Sequence, residues 1–163
     1  MALLIAGLDW HVEMKMLLRV LEFLAIVLVA IILIPTGAHL FELPNKISLV
    51  QDQYFLVQNI YRGWALFGAP IFAALIVTAA LAWAARRYPL ESRLSLLAFL
   101  CIAASLGVFF AFVYPGNIAT ANWTTIPDNW MTLRRHWEYG HATSAVLTFI
   151  ALCALAIGVV SRR

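Results

Sequence analysis

Charge is scarce in this sequence, and over three long stretches it is missing altogether. Only 12% of the 163 residues are Asp, Glu, Lys or Arg, against 64% hydrophobic residues and a mean hydropathy of +0.89. A soluble domain is about 45–50% apolar and about 25% charged. The composition therefore excludes an ordinary soluble domain and points to an integral membrane protein. Cysteine is nearly absent as well: Cys101 and Cys153 both lie inside apolar runs and no C-x-x-C occurs. That excludes thiol–disulfide oxidoreductase chemistry and leaves two thiols acting as small hydrophobes. There is no internal repeat, no low-complexity tract and no basic block, so nothing suggests a second domain or a nucleic-acid partner. The net charge of +3 reads as short basic flanks anchoring the chain at a lipid bilayer.

What the chain does have is long apolar runs. Crossing a hydrocarbon core of about 30 Å takes about 20 mostly apolar residues, and four stretches qualify: 20–40, 63–85, 94–113 and 142–160. The last three contain no Asp, Glu, Lys, Arg or His. The first follows Arg19, carries Glu22 near its start and has Pro35, Thr36, Gly37 and His39 near its end. A cleavable signal peptide competes for this run, but it is long for such a segment and lacks the small-residue cleavage pattern. Residues 1–15 are expected to be an interfacial tail, or a product of a start assigned upstream of Met14 or Met16.

Lysine and arginine set the expected orientation. Lys15, Arg19, Arg86, Arg87, Arg93, Arg162 and Arg163 fall on one side, and Lys46, Arg62, Arg134 and Arg135 on the other. Both termini are thus expected in the cytoplasm, with the chain a multi-pass protein of the cell membrane. The spacing predicts a single all-α domain, an up-down four-helix membrane bundle with two long polar loops on the outer side. Parts of those loops are expected to be helical: 51–62 leading into the second span, and 129–139 extending the fourth from an N-cap at Asp128.

The outer connections gather the polar chemistry. Three of the four histidines (His39, His136, His141) and four of the six tryptophans (Trp64, Trp123, Trp130, Trp137) are there, although tryptophan at headgroup depth needs no functional reason. The stretch RRHWEYGH, 134–141, is the densest. On a helix Trp130, Arg134, Glu138 and His141 advance by three or four and share a face, as do Pro35, His39 and Glu42 on the first span. His39-x-x-Glu42 and Glu138-x-x-His141 form mirror-order pairs on two helices that end at the same face.

Three readings stay open at this point. Two imidazoles and two carboxylates (His39, Glu42, Glu138, His141) suit a single iron, zinc or manganese ion. A two-metal site lacks further carboxylates, because the neighbouring ends offer Gln58, Asn59, Arg62, Tyr114 and Asn117. Haem between His39 and His141 is the variant of this reading. The carboxylates can instead pair with Arg62, Arg134 and Arg135 and lock the helix ends. The third reading is a metal-free polar pocket for a hydrophobic small molecule, since ionisable groups at membrane depth are functional by default. Pro35, Pro70 and Pro115, each near the outer end of a span, are expected to kink their helices and splay the bundle there.

From Pro115 onward, Pro115-x-Asn117, Trp130, Leu133-Arg134, Trp137-Glu138 and His141 followed by an apolar span resemble the signature of the anthrone oxygenase-like family of small four-span membrane proteins. Many of its bacterial members are grouped only as a domain of unknown function. The match covers about a quarter of the chain, and GAHLFELPNKIS and VQNIYRGW fit it more loosely. Ser144 departs from the pattern, standing where a basic residue is expected. The resemblance implies O2-dependent oxidation of an anthrone-like aromatic compound without an added redox cofactor. It further implies His141 or His39 as the base, Arg134 or Arg62 as the anion clamp, Trp137 and Trp130 as slot walls, and Asn117 as a donor to oxygen with Tyr114 nearby. The competing class is a non-catalytic accessory subunit whose rim docks another membrane protein, in a homo-oligomer or a larger membrane complex. A pocket requires His39, Arg62, Asn117 and His141 to converge. A docking surface requires Trp130, Arg135 and His136 to project outward together.

Overall fold

The computed structural model describes residues 2–161, with side chains from Val12 onward. Every regular element among the described residues is helical. The α-helices are α1 (Ala2–Lys46), α2 (Gln51–Gln58), α3 (Gly68–Ala84), α4 (Pro89–Val108), α5 (Tyr114–Ala119) and α6 (Trp130–Val160). Four segments are long and apolar enough to cross a membrane: Val12–Lys46, Trp64–Arg87, Pro89–Ala119 and Trp130–Val160. Each covers one expected span, the second from residue 64 onward, and three of them extend well beyond it.

The extension of α1 matters most. Pro35 and Pro44 lie inside it, each depriving a carbonyl, Ile31 or Leu40, of its ladder donor. The helix nevertheless continues to Lys46, so the residues after the first span are helical rather than a loop. The expected tail at 1–15 is, from Ala2, the first part of the same helix. Pro70 falls in the first turn of α3, where a missing N–H is tolerated, and so does not kink that helix as expected. Pro115 follows a π-helical turn at Phe109–Val113 that joins α4 to α5. The expected cap at Asp128 is also displaced: Asn129 holds the N-cap position of α6, and no side chain caps it.

Helix α6 packs against α1 and α4, and α3 packs against the same two helices. Their common core is built from small and branched residues: Ala25, Val29 and Ile32 of α1, Ala74 and Leu81 of α3, Ala98, Cys101 and Ile102 of α4, and Ala151 and Leu155 of α6. Such residues let helix backbones approach closely where lipid removes the hydrophobic drive to associate. Phe23, Ile34, Phe72, Ile76, Trp83, Phe149 and Ile157 stand exposed on the outside, as a lipid solvent requires. Cys101 and Cys153 are free thiols.

Between α5 and α6 the backbone makes an unusual turn. Ala121, Asn122 and Trp123 have φ of 47°, 57° and 64°, a left-handed run that costs about 1–2 kcal/mol per residue. It is held by the Asn122 N–H on the Asn117 carbonyl at 2.7 Å and the Trp123 N–H on the Thr120 hydroxyl at 2.9 Å. The outcome is that Trp123 turns back into the bundle, where it is buried against Tyr54, Phe55 and Trp137.

Candidate functional site

The C-terminal end of α1, helix α2, the short helical turns at Asn59–Tyr61 and Trp64–Phe67 that lead into α3, helix α5 and the first turns of α6 meet at one end of the bundle, termed distal here. Two kinds of buried chemistry sit there side by side.

The first is a charge network centred on Lys46. Its side chain is 3% exposed, and Nζ lies 3.2 Å from Glu138 Oε1 and 3.6 Å from Glu42 Oε2. Nζ also donates to the Tyr61 hydroxyl at 2.6 Å, and that hydroxyl donates to Glu42 Oε2. Glu138 is completely buried and accepts a second bond, from the Tyr54 hydroxyl at 2.8 Å, while Gln58 Nε2 donates to Tyr54 at 2.6 Å. Glu42, Asn45 and Lys46, with Leu49, Val57 and Ile60, line an open cleft of about 290 Å3. The network therefore runs from an enclosed carboxylate to a partly exposed one.

The second is an aromatic cage around His39. His39 is 3% exposed, and its ring stacks on that of His141 at 4.0 Å with 25° between the planes. Trp137 meets both imidazoles edge-on, at 4.9 Å and 4.3 Å, and Tyr61 and Trp64 close the other sides at 4.5 Å and 5.4 Å. His39 Nδ1 is buried without a hydrogen-bond partner. Gly63, at φ 89°, permits the left-handed step that brings Tyr61 and Trp64 to the same ring.

The remaining expected residues take other positions. Arg134 is half-buried, donates to the Leu49 carbonyl at 2.7 Å and lies over the Trp130 ring at 4.7 Å. It ties α6 to the connection after α1. Arg62 is exposed and bonds Asn59 Oδ1 at 3.2 Å. Asn117 Oδ1 accepts from Trp137 Nε1 at 2.8 Å and from Trp123 Nε1 at 3.3 Å, so Asn117 orients the cage wall. Tyr114 is exposed, as are Arg135, His136 and Tyr139 on the outer face of α6. Of the pocket set, His39 and His141 meet, Asn117 joins them through Trp137, and Arg62 stands apart. Of the docking set, Arg135 and His136 face outward, and Trp130 packs inward on Tyr54 and Phe55. Among the described residues no three His, Cys, Asp or Glu side chains come together as metal ligands would. Lys46 occupies the space between the two carboxylates.

Lys46, Tyr54 and Tyr61 were not anticipated in the site. For Lys46 the signal existed, because His39, Glu42 and Lys46 keep the spacing of three and four that marks one helical face. The tyrosines carried none, since their approach to α1 and α6 depends on how α2 folds back.

The placement of His141 rests on its neighbour. A Cβ on Gly140 would lie 2.8 Å from Val113 Cγ2 and 3.4 Å from Phe112 Cβ, so only glycine lets α6 approach the π-helical turn this closely. Gly140→Ala is expected to cost about 1–3 kcal/mol through overpacking, and Val113→Ala in the same chain should recover most of it. Unfolding of the two variants in mixed micelles measures this; an unrecovered loss would place the cause elsewhere.

The hydroxyls of Tyr54 and Tyr61 have raised pKa values. Burial is the main cause, with the Glu138 charge adding at Tyr54, and the bond to Glu42 followed by its charge at Tyr61. A group that holds its proton more tightly when folded contributes stability below its unfolded pKa of about 10 and loses it above. Stability should fall as pH rises past that value, and more gently in Tyr54→Phe. A parallel alkaline slope for wild type and variant would remove Tyr54 from this account.

No family model, no curated protein and no solved structure matches this chain.

Proposed function

We propose that the protein is a membrane-embedded oxidoreductase of the anthrone oxygenase-like kind, acting on a hydrophobic aromatic substrate with O2. In this reading the four helices cross the cell membrane up and down, both termini are cytoplasmic and the distal cluster lies at the outer rim. The observation that carries the reading is the stacked His39–His141 pair, with a buried, unpartnered ring nitrogen, caged by aromatic rings of which Trp137 also lies under the Lys46 ammonium.

The roles follow from chemistry. A tricyclic phenolic ketone has an acidic ring CH2. An imidazole takes one proton from it, which leaves a delocalised, electron-rich anion. That anion passes electrons to O2, and the net change converts CH2 and O2 into C=O and water. A base and a cation for the developing oxyanion are the protein's contributions. His141 and His39 supply the first. Lys46 is better placed for the second than Arg134, which is tied to Leu49, or Arg62, which is exposed. Trp137, Tyr61 and Trp64 provide the apolar walls.

Oxygen uptake by the detergent-purified protein with an anthrone tests the proposal, with metal content and visible spectrum recorded on the same sample. Uptake above the anthrone's spontaneous oxidation, proportional to protein, supports it; uptake equal to the blank sinks it. The second reading is the accessory subunit, favoured by the contacts that already hold Lys46 to Glu42, Tyr61 and Glu138 and by exposed Arg135, His136 and Tyr139. It expects a larger assembly on native gels that Arg135→Glu dissolves.

A further inference from the structure

We propose that Tyr61 and Glu42 form a proton exit from the distal cluster, carrying protons between Lys46 and the water-facing cleft. The inference rests on the reading of this cluster as a reaction site, but its decisive measurement needs no turnover.

The geometry is a continuous series of polar contacts. Lys46 Nζ donates to the Tyr61 oxygen at 2.6 Å, and the Tyr61 hydroxyl donates to Glu42 Oε2. Both Glu42 and Lys46 line the cleft, but the Glu42 side chain is 35% exposed and that of Lys46 only 3%. Every link is oriented outward, so one concerted step suffices. Tyr61 gives its proton to Glu42 as Lys46 gives one to Tyr61. The products are a neutral amine, an intact tyrosine and a protonated Glu42, which releases its proton to water in the cleft. The ion pair becomes a neutral pair, a change that a low-dielectric environment permits because desolvated charges are costly. The amine is then a base, ready for a proton delivered from the interior of the cluster. The groups facing this series are His39 on α1, Tyr54 and Gln58 on α2, and Arg134, Glu138 and His141 on α6. Of these, Glu138 contacts Lys46 directly at 3.2 Å, so a change of charge on Lys46 is felt at Glu138.

Tyr61→Phe keeps the ring that packs on His39 and Trp64 and removes the link. Infrared titration of the purified protein reads the carboxyls, with Glu42→Gln and Glu138→Gln assigning the bands. In the wild type the Glu138 band should shift as the cleft is acidified; in Tyr61→Phe the Lys46–Glu42 pair at 3.6 Å remains but the hydroxyl link is gone, so the Glu138 shift should be markedly smaller. Identical titrations in the two proteins, or a Glu138 band indifferent to Glu42→Gln, would overturn the proposal. Where the wild type consumes oxygen with an anthrone, Tyr61→Phe should lower the rate on the order of 10²-fold. Glu42→Gln should be partly rescued by added formate. An absence of wild-type oxygen uptake removes the oxygenase reading and leaves the infrared result to decide the proton exit.

Discussion

Lys46→Met is expected to lower the stability of the folded protein by about 3–5 kcal/mol, because it strands a buried carboxylate. Glu138 is completely buried, and one of its oxygens has no hydrogen-bond partner. Its other oxygen holds Lys46 and the Tyr54 hydroxyl. Methionine matches the length of the lysine stem but offers no positive charge, which leaves a single phenol to solvate a full negative charge in an apolar surround. Tyr61 would lose its ammonium donor at the same time. The double variant Lys46→Met with Glu138→Leu should be less damaged than the single one, since replacing both partners by apolar groups removes the uncompensated charge. A double-mutant cycle of unfolding in mixed micelles checks this. Equal losses in the single and double variants would mean that the pair is not coupled, and that the distal end is held by its aromatic contacts instead.

Whether the network locks the helix ends or serves a reaction depends on what it leaves open. The purely structural reading has real support: Lys46 bonds Tyr61 and pairs with Glu42 and Glu138, Tyr61 bonds Glu42, and Tyr54 bonds Glu138, while the arginines expected to pair with the carboxylates do not do so among the described residues. A lock needs only that. It does not need a stacked histidine pair with an unpartnered nitrogen beside it, nor an asymmetry between an enclosed Glu138 and a cleft-facing Glu42. Those features carry the functional reading.

The apolar runs announced four membrane-length helices, because composition and length settle that question before packing does. The polar stripe on α6 was legible for the same kind of reason: Glu138 and Ala145 are buried and His141 half-buried, while Arg135, His136 and Tyr139 face out, as a period of 3.6 demands. Lys46 was hidden by Pro44. A proline after an apolar run reads as a stop, yet here α1 continues through it, and that added turn carries the ammonium into the cluster. Asn117 was expected to face a substrate and instead accepts from two indoles. That pairing depends on the left-handed turn at Ala121–Trp123, which no glycine marks. Arg62 was grouped with the histidines because it stands at the outer end of the second span, but the turn at Gly63 directs it outward. In each case the missing information was tertiary: where a connection folds back, not which residues it contains.

The sharpest functional expectation is that His141→Ala lowers oxygen uptake with an anthrone by on the order of 10²–10⁴-fold, the range of a positioned general base. Alanine is the best helix former, and His141 makes ring contacts but no hydrogen bond among those resolved to protein groups. Helical content should therefore be unchanged by circular dichroism. His39→Ala discriminates within the pair. His39 is the more enclosed ring and bears the open nitrogen, so an equal loss in both variants means that the stacked pair acts as one unit. A loss confined to His39→Ala makes His39 the base and His141 its support. Normal turnover in both variants, with helical content intact, would show that neither imidazole takes the proton. The base would then have to be sought at the Lys46–Glu138 pair.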